Sequence, residues 1–200
     1  MAKRKPKTKY NPRKVAIIED HERVLIICEG KTEQLYFSGL KDELKISTAN
    51  IEILDPRQNT PDSLLKEAKK LYRESKESKK DTTFDKVYCV FDKDRHPKYQ
   101  ETKHNIRQIQ RPKNTYFAIY SEPCFEYWLL LHYENTTRPF TCFDQLRHDK
   151  LFKKNFSNYE KNEQNIFAIL KEQLPTACQN AKDNPYTNVN ELVEYLQKIK

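Results

Sequence analysis

Glycine is nearly missing from this 200-residue chain: it occurs only twice, at Gly30 and Gly39. That scarcity excludes collagen-like repeats, Gly-rich linkers and the glycine-rich loop of a nucleotide-binding P-loop. Long apolar runs are missing as well. No stretch approaches the roughly 20 residues that a membrane-spanning helix needs. The opening segment MAKRKPKTKYNPRK is not followed by the apolar run of a secretory signal. Closely paired cysteines are a third absence. The five cysteines (Cys28, Cys89, Cys124, Cys142, Cys178) are odd in number and contain no C-x-x-C pair. A disulfide scaffold or a zinc knuckle is therefore not expected, and a reducing cytoplasm suits such thiols. Internal repeats are also lacking.

What is present is charge and aromatic surface. Apolar residues make up 36% of the chain and charged residues 33%, with a mean hydropathy of -0.97. That mix would suit disorder, but 12 Tyr and 10 Phe supply enough apolar bulk for the core of one domain. The net charge of +8 points to an anionic partner such as nucleic acid or an anionic membrane surface. The excess is unevenly placed. Residues 1 to 14 hold seven Lys or Arg and no acid, whereas residues 15 to 134 hold 20 basic and 21 acidic residues. Residues 1 to 20 thus read as a disordered basic arm, either a solubilising tail or a tether for phosphate. The body behind it is nearly neutral.

Short apolar runs then alternate with longer amphipathic segments. Val24 to Cys28, Ile51 to Leu54, Val87 to Phe91 and Tyr116 to Tyr120 read as strands. Helical spacing follows the first through Leu35, Tyr36, Gly39, Leu40 and Leu44. Thr60-Pro61-Asp62 begins a second helix, with Pro in its first turn and an acid beside the helix dipole. Residues 99 to 110 read as a polar helix, and Phe125 to Leu131 as a short apolar one. Strand–helix alternation predicts right-handed crossovers and an α/β fold with a mostly parallel central sheet flanked by helices. The expected body spans residues 21 to 134. Residues 135 to 200 are expected to form a helical C-terminal extension packed on the same domain.

Each predicted strand is followed by carboxylates: Glu29, then Asp55, then Asp92 and Asp94, then Glu122. Ligands of open parallel sheets bind beyond the carboxyl ends of the strands, so these acids are expected to converge on one edge. Clustered carboxylates repel unless a cation neutralises them, and oxygen ligands suit Mg²⁺ or Mn²⁺. The D-x-D spacing of Asp92 and Asp94 places both carboxylates on one side of an extended segment. Gly30 is expected to permit the sharp turn that lifts Glu29 above the sheet. Acids also cap helices and end strands without binding anything, so neither element carries the metal reading alone.

The segments ICEGKTEQLYF and VYCVFDKDRH resemble the two motifs of the Toprim catalytic domain. Together with SEPCFEYWLLLHYE and NPYTNVNELVE, they resemble more closely the RloB-like (AbiLii-like) proteins, small Toprim proteins of bacterial phage defence. The resemblance runs from about Val24 to Leu196 and implies a Toprim-like, Rossmann-like fold. By that resemblance Glu29 is the acid–base residue, and Asp92 and Asp94 hold divalent metal. Glu122 departs from the family pattern, which favours Asn before Pro-Cys-Phe-Glu, though an added carboxylate could still touch metal.

Further candidates follow from position. Glu126 lies on an apolar helix one turn past Glu122, where a buried carboxylate needs a partner or a metal. Lys31 beside Glu29 and Arg95 beside Asp94 are placed either to orient a phosphate or to make ordinary surface ion pairs. Glu33 reads as a solvated helix acid, His96 as able to reach the metal edge, and His132 as a hydrogen-bonded core residue. The resemblance implies that the turn at Asn184 to Asn188 returns to the active edge.

The function expected is a metal-dependent nuclease hydrolysing DNA or RNA, tRNA included, in antiphage defence or abortive infection. Its site combines Glu29, Lys31 and Glu126 with a metal held by Glu29, Asp92, Asp94 and Glu122. The alternative is a non-catalytic subunit that binds nucleic acid or nucleotide. The resemblance also implies a separate ABC- or SMC-like ATPase as partner.

Overall fold

A computed structural model of the chain describes residues 22–47, 51–54, 60–78, 83–109 and 115–199. The basic arm expected over residues 1 to 20, and Asp55, lie outside the described residues.

Four strands form where the apolar runs fall: β1 (Val24–Cys28), β2 (Ile51–Leu54), β3 (Lys86–Asp92) and β4 (Tyr116–Ser121). β1 is buried at every position, which explains its unbroken apolar sequence: a strand covered on both faces has no polar side. All pairings are parallel, in the order β2-β1-β3-β4. The predicted α/β, Rossmann-like layout is therefore present. The strand order changes direction between β1 and β3, so the carboxyl ends of these two strands flank the topological switch point.

Helix α1 (Lys31–Glu43) covers one face of the sheet through Tyr36, Phe37 and Leu40. Helices α2 (Pro61–Glu77) and α3 (Tyr99–Arg107) cover the other through Leu64, Ala68, Tyr99 and Ile106. Strand alternation sorts β3 accordingly: Tyr88 and Val90 join the α1 face, while Val87, Cys89 and Phe91 join the α2 face.

The rest of the chain folds onto the α1 face. It contains α4 (Glu126–Leu130), α5 (Phe143–His148), α6 (Lys150–Asn155), α7 (Ile166–Leu170), α8 (Leu174–Ala181) and α9 (Val189–Lys198). Phe152, Phe167, Leu170, Val189 and Leu196 share one buried cluster with Val24, Ile26 and Tyr36 of the strand–helix body. His132 lies inside it as its apolar setting implied. Its Nδ1 donates to the Trp128 carbonyl and its Nε2 accepts from Tyr36 O–H, each at 3.1 Å. Burial lowers its pKa to about 4, so the ring is neutral. No described helix is long and apolar enough to cross a membrane.

The turn at Asn184 to Asn188 closes the outer edge of β4. Asn188 Oδ1 accepts from the Tyr120 N–H at 2.8 Å, and its Nδ2 donates to Ala118 O at 3.0 Å. One side-chain amide thus does what a neighbouring strand would do.

Gly39 is needed for space. A Cβ there would lie 2.7 Å from the Cβ of Phe167, where α1 and α7 cross. Ala would gain about 1 kcal/mol of helix propensity, but overpacking against so immobile an atom costs typically 1–3 kcal/mol. Thermal denaturation should therefore show Gly39→Ala melting below wild type, and a higher melting temperature would contradict the packing.

Candidate active site

The chain continues past β1 through Glu29, whose N–H donates to Val90 O at 2.9 Å. Its carboxylate reaches across the switch point. Oε2 accepts from the Asp92 N–H at 3.1 Å, and Oε1 accepts from His96 Nε2 at 2.8 Å. Asp92 ends β3, and its Oδ2 accepts from the Phe125 N–H at 3.0 Å. Glu126 opens α4 and is 2% exposed. Its Oε1 accepts from Tyr159 O–H at 3.0 Å and lies 3.7 Å from Lys161 Nζ.

Glu33 corrects the sequence reading. A solvated acid was expected, but the side chain is 4% exposed. The cause is its place in the first turn of α1, where the carboxylate accepts a backbone N–H and meets the positive end of the helix dipole. Gly30 is corrected with it. Its backbone is ordinary extended chain (φ -125, ψ 166), so no unusual turn requires glycine. A Cβ at Gly30 would instead meet Glu33 Oε2 at 2.5 Å. The glycine leaves room for a carboxylate.

Glu29, Glu33, Asp92 and Glu126 act on one another electrostatically. Desolvation, then the charges of Glu33, Glu126 and Glu29, push the Asp92 carboxyl well above its usual range. Burial, then Glu126 and Glu29, push Glu33 up to about 8. Burial raises Glu29 too, assisted by Asp94 and opposed by His96 and the Asp92 N–H. Burial would lower the pKa of Lys161, but Glu126, Cys124, Asp92 and Glu33 outweigh it and hold its proton more firmly than usual. Fully ionised, the cluster would carry more negative charge than its protein cations neutralise, so without a further cation its carboxyls hold their protons more firmly than usual.

Other expected members are held differently. Glu122 stands one residue beyond Ser121, the register partner of Asp92. Strand alternation therefore turns it towards the α2–α3 face, where Tyr99 O–H donates to it at 2.9 Å and Lys93 Nζ at 3.0 Å. Asp94 is not in extended chain. It occupies an exposed turn with φ 31, and its N–H donates to Pro123 O at 2.8 Å. Asp92 and Asp94 are thus separated by the end of β3. Lys31 is exposed on α1 and donates to Gln34 Oε1 at 2.5 Å. His96 does reach the strand ends, as Glu29's partner. Tyr159 and Lys161 were not foreseen, since the segment SNYEKNEQN has the composition of an ordinary polar loop.

Among the described residues, no three His, Cys, Asp or Glu side chains are already arranged about a common metal position. The donor set nevertheless fits a hard divalent cation. Its four carboxylates offer only oxygen, and added positive charge is what their mutual repulsion lacks.

No curated protein and no solved structure matches the chain. The family model described as RloB-like protein matches residues 24–196, which include every described strand, both glycines and all four clustered carboxylates. The chain belongs to the RloB-like family.

Proposed function

We propose that the protein is a metal-dependent nuclease hydrolysing phosphodiester bonds of DNA or RNA, with tRNA among the candidate substrates. The observation that carries this reading is the under-neutralised cluster of Glu29, Glu33, Asp92 and Glu126 at the β1/β3 switch point. Glu29, Asp92 and Glu126 would hold Mg²⁺ or Mn²⁺, with Glu33 behind them. The bound cation would supply phosphate neutralisation and an activated water. The chain's own contribution is proton handling: Glu29 Oε1 and His96 Nε2, 2.8 Å apart, form a pair that can take and return a proton. Glu29 and Asp92 support a Toprim-type division of labour, with the acid–base group after the first strand and the metal group after a later one.

Antiphage defence beside a separate ABC- or SMC-like ATPase belongs to the same proposal. With two glycines and no P-loop, this chain would rely on another protein for ATP hydrolysis. Five free cysteines, three of them buried, support a reducing cytoplasm as its compartment.

The test uses plasmid, single-stranded DNA and total tRNA in Mg²⁺ or Mn²⁺. At least one substrate should be cut, chelation should stop the reaction, and Glu29→Gln should slow it at least about 100-fold. Unchanged cleavage by Glu29→Gln would sink the site. Salt-sensitive binding with no cleavage in either metal would leave the non-catalytic binding subunit instead.

A further inference from the structure

Beside the carboxylates lies a cleft of about 260 Å³, lined by Asp94, Arg95, Cys142, Phe143 and Asp144. One wall is the turn that follows β3, so the cleft adjoins the strand end that carries Asp92. The opposite wall is the start of α5. Phe143 is half-buried there, set edge-to-face against Phe152 with ring centres 6.5 Å apart. Lys161 Nζ lies 4.3 Å from the centre of the Phe143 ring, and the same nitrogen lies 3.7 Å from Glu126 Oε1. A single ammonium group therefore links the aromatic wall to the carboxylate cluster.

The chemistry of the walls selects an occupant. An aromatic ring beside a phosphodiester site suits a nucleobase, because every base has a π face to stack on it. Two of the five lining residues are carboxylates, which repel a bare phosphate but accept hydrogen bonds from the exocyclic amino group of a neutral ring. Arg95, the one cation among them, is left to meet the phosphate attached to that base. The volume falls below the roughly 300–1,000 Å³ of pockets for drug-sized ligands, which suits one base and not a base pair.

We propose that this cleft is a subsite for a single unpaired, amino-bearing base, stacked on Phe143 and read by Asp94 and Asp144. The inference rests on the nuclease reading for its placement and adds the substrate class: a strand that is single or looped where it meets the site.

Fluorescence anisotropy on the full chain carrying Glu29→Gln, in Mg²⁺, provides the test. The probes are end-labelled oligo(dC), oligo(dT) of equal length, and a blunt hairpin duplex. Oligo(dC) should bind at least about 10-fold tighter than the duplex and several-fold tighter than oligo(dT). Phe143→Leu keeps apolar bulk without the π face and should weaken oligo(dC) binding about 5- to 50-fold, within the range measured for one stacked base. Asp144→Ala, at an exposed position, removes one of the two acceptors and should narrow the preference for oligo(dC) over oligo(dT). Equal binding of duplex and single strands, or binding unmoved by both variants, would overturn the subsite. Wild-type cleavage separates the two readings. Base-selective binding with no cleavage leaves the subsite standing without a nuclease. Cleavage whose KM ignores Phe143→Leu leaves a nuclease without this subsite.

Discussion

Asp92→Asn should make the metal-free protein more stable and, on the proposed nuclease reading, abolish cleavage of nucleic acid. The stability gain follows from the carboxylate's surroundings. Desolvation and three neighbouring carboxylates hold the folded-state pKa of Asp92 well above its unfolded value. A group raised in this way gives its full stability below the unfolded value and loses it as pH rises through the folded one. Glu33, pushed up to about 8, behaves in the same way. Metal-free wild type should therefore lose stability as pH climbs from about 5 towards 8. His132 partly offsets this, because its pKa is lowered to about 4 and its contribution grows as pH rises from that value to about 6.5.

Asparagine removes the ionisable group that burial disfavours while its side-chain oxygen still accepts the Phe125 N–H. At pH 8 in chelator, about 1–2 kcal/mol recovered this way corresponds to roughly 2–8 °C of melting temperature for a chain of this size. Excess Mg²⁺ or Mn²⁺ should raise the melting temperature of wild type and leave that of the variant nearly unmoved. Cleavage should fall at least about 100-fold. Calorimetry in chelator and in metal, beside a single-turnover assay, reads all three. Equal stabilisation of both proteins by metal would remove Asp92 from the metal site.

The second large effect is structural. Trp128→Ala should cost about 3–5 kcal/mol, the range for emptying a large aromatic site in a core. Trp128 is fully buried, with ring centres 6.2 Å from Tyr36 and 5.1 Å from His132, both nearly perpendicular. It thereby joins α4 to α1 and supports the His132–Tyr36 hydrogen bond. Proteins of this kind are stable by only about 5–15 kcal/mol in total, so the variant should unfold at much lower urea. Far-UV circular dichroism must follow the transition, since Trp128 is the chain's single tryptophan and the fluorescence probe disappears with it. Glu126 stands two residues away in a five-residue helix, so metal affinity should weaken too. A loss under about 1 kcal/mol would mean that the neighbouring rings close the void.

The strands were legible in the sequence because burial on both faces leaves an apolar run with few competing interpretations. VLIIC and VYCVF are such runs, and the acids after them lie where an open parallel sheet collects its ligands. The legible part of the site ends at Glu29, Asp92 and Glu126. The face taken by Glu122 and the turn at Asp94 were not legible, because counting from a strand end does not show which face the next side chain takes, nor where extended chain stops. Glu33 was misread because helical periodicity cannot distinguish a solvated acid from one folded back over a glycine. The only local hint was Gly30 three positions earlier. Tyr159 and Lys161 reach Glu126 from more than 30 positions away, a contact that tertiary packing alone creates.

The Asn188 latch on β4 has a consequence for the order of synthesis. Its two amide bonds join residues 68 and 70 positions apart. Translation at about 5–20 residues per second needs roughly 3–14 s to cover that interval. Through nearly all of it the nascent chain already carries Glu29, Asp92 and Glu126, yet the outer strand still shows an unpaired edge. Lys161, α7 and α8 appear within the same late stretch, and α9 follows it. A newborn chain is thus kept from a finished carboxylate site until nearly all its residues through Asn188 exist, and its exposure to mispairing at that edge lasts those seconds at the ribosome.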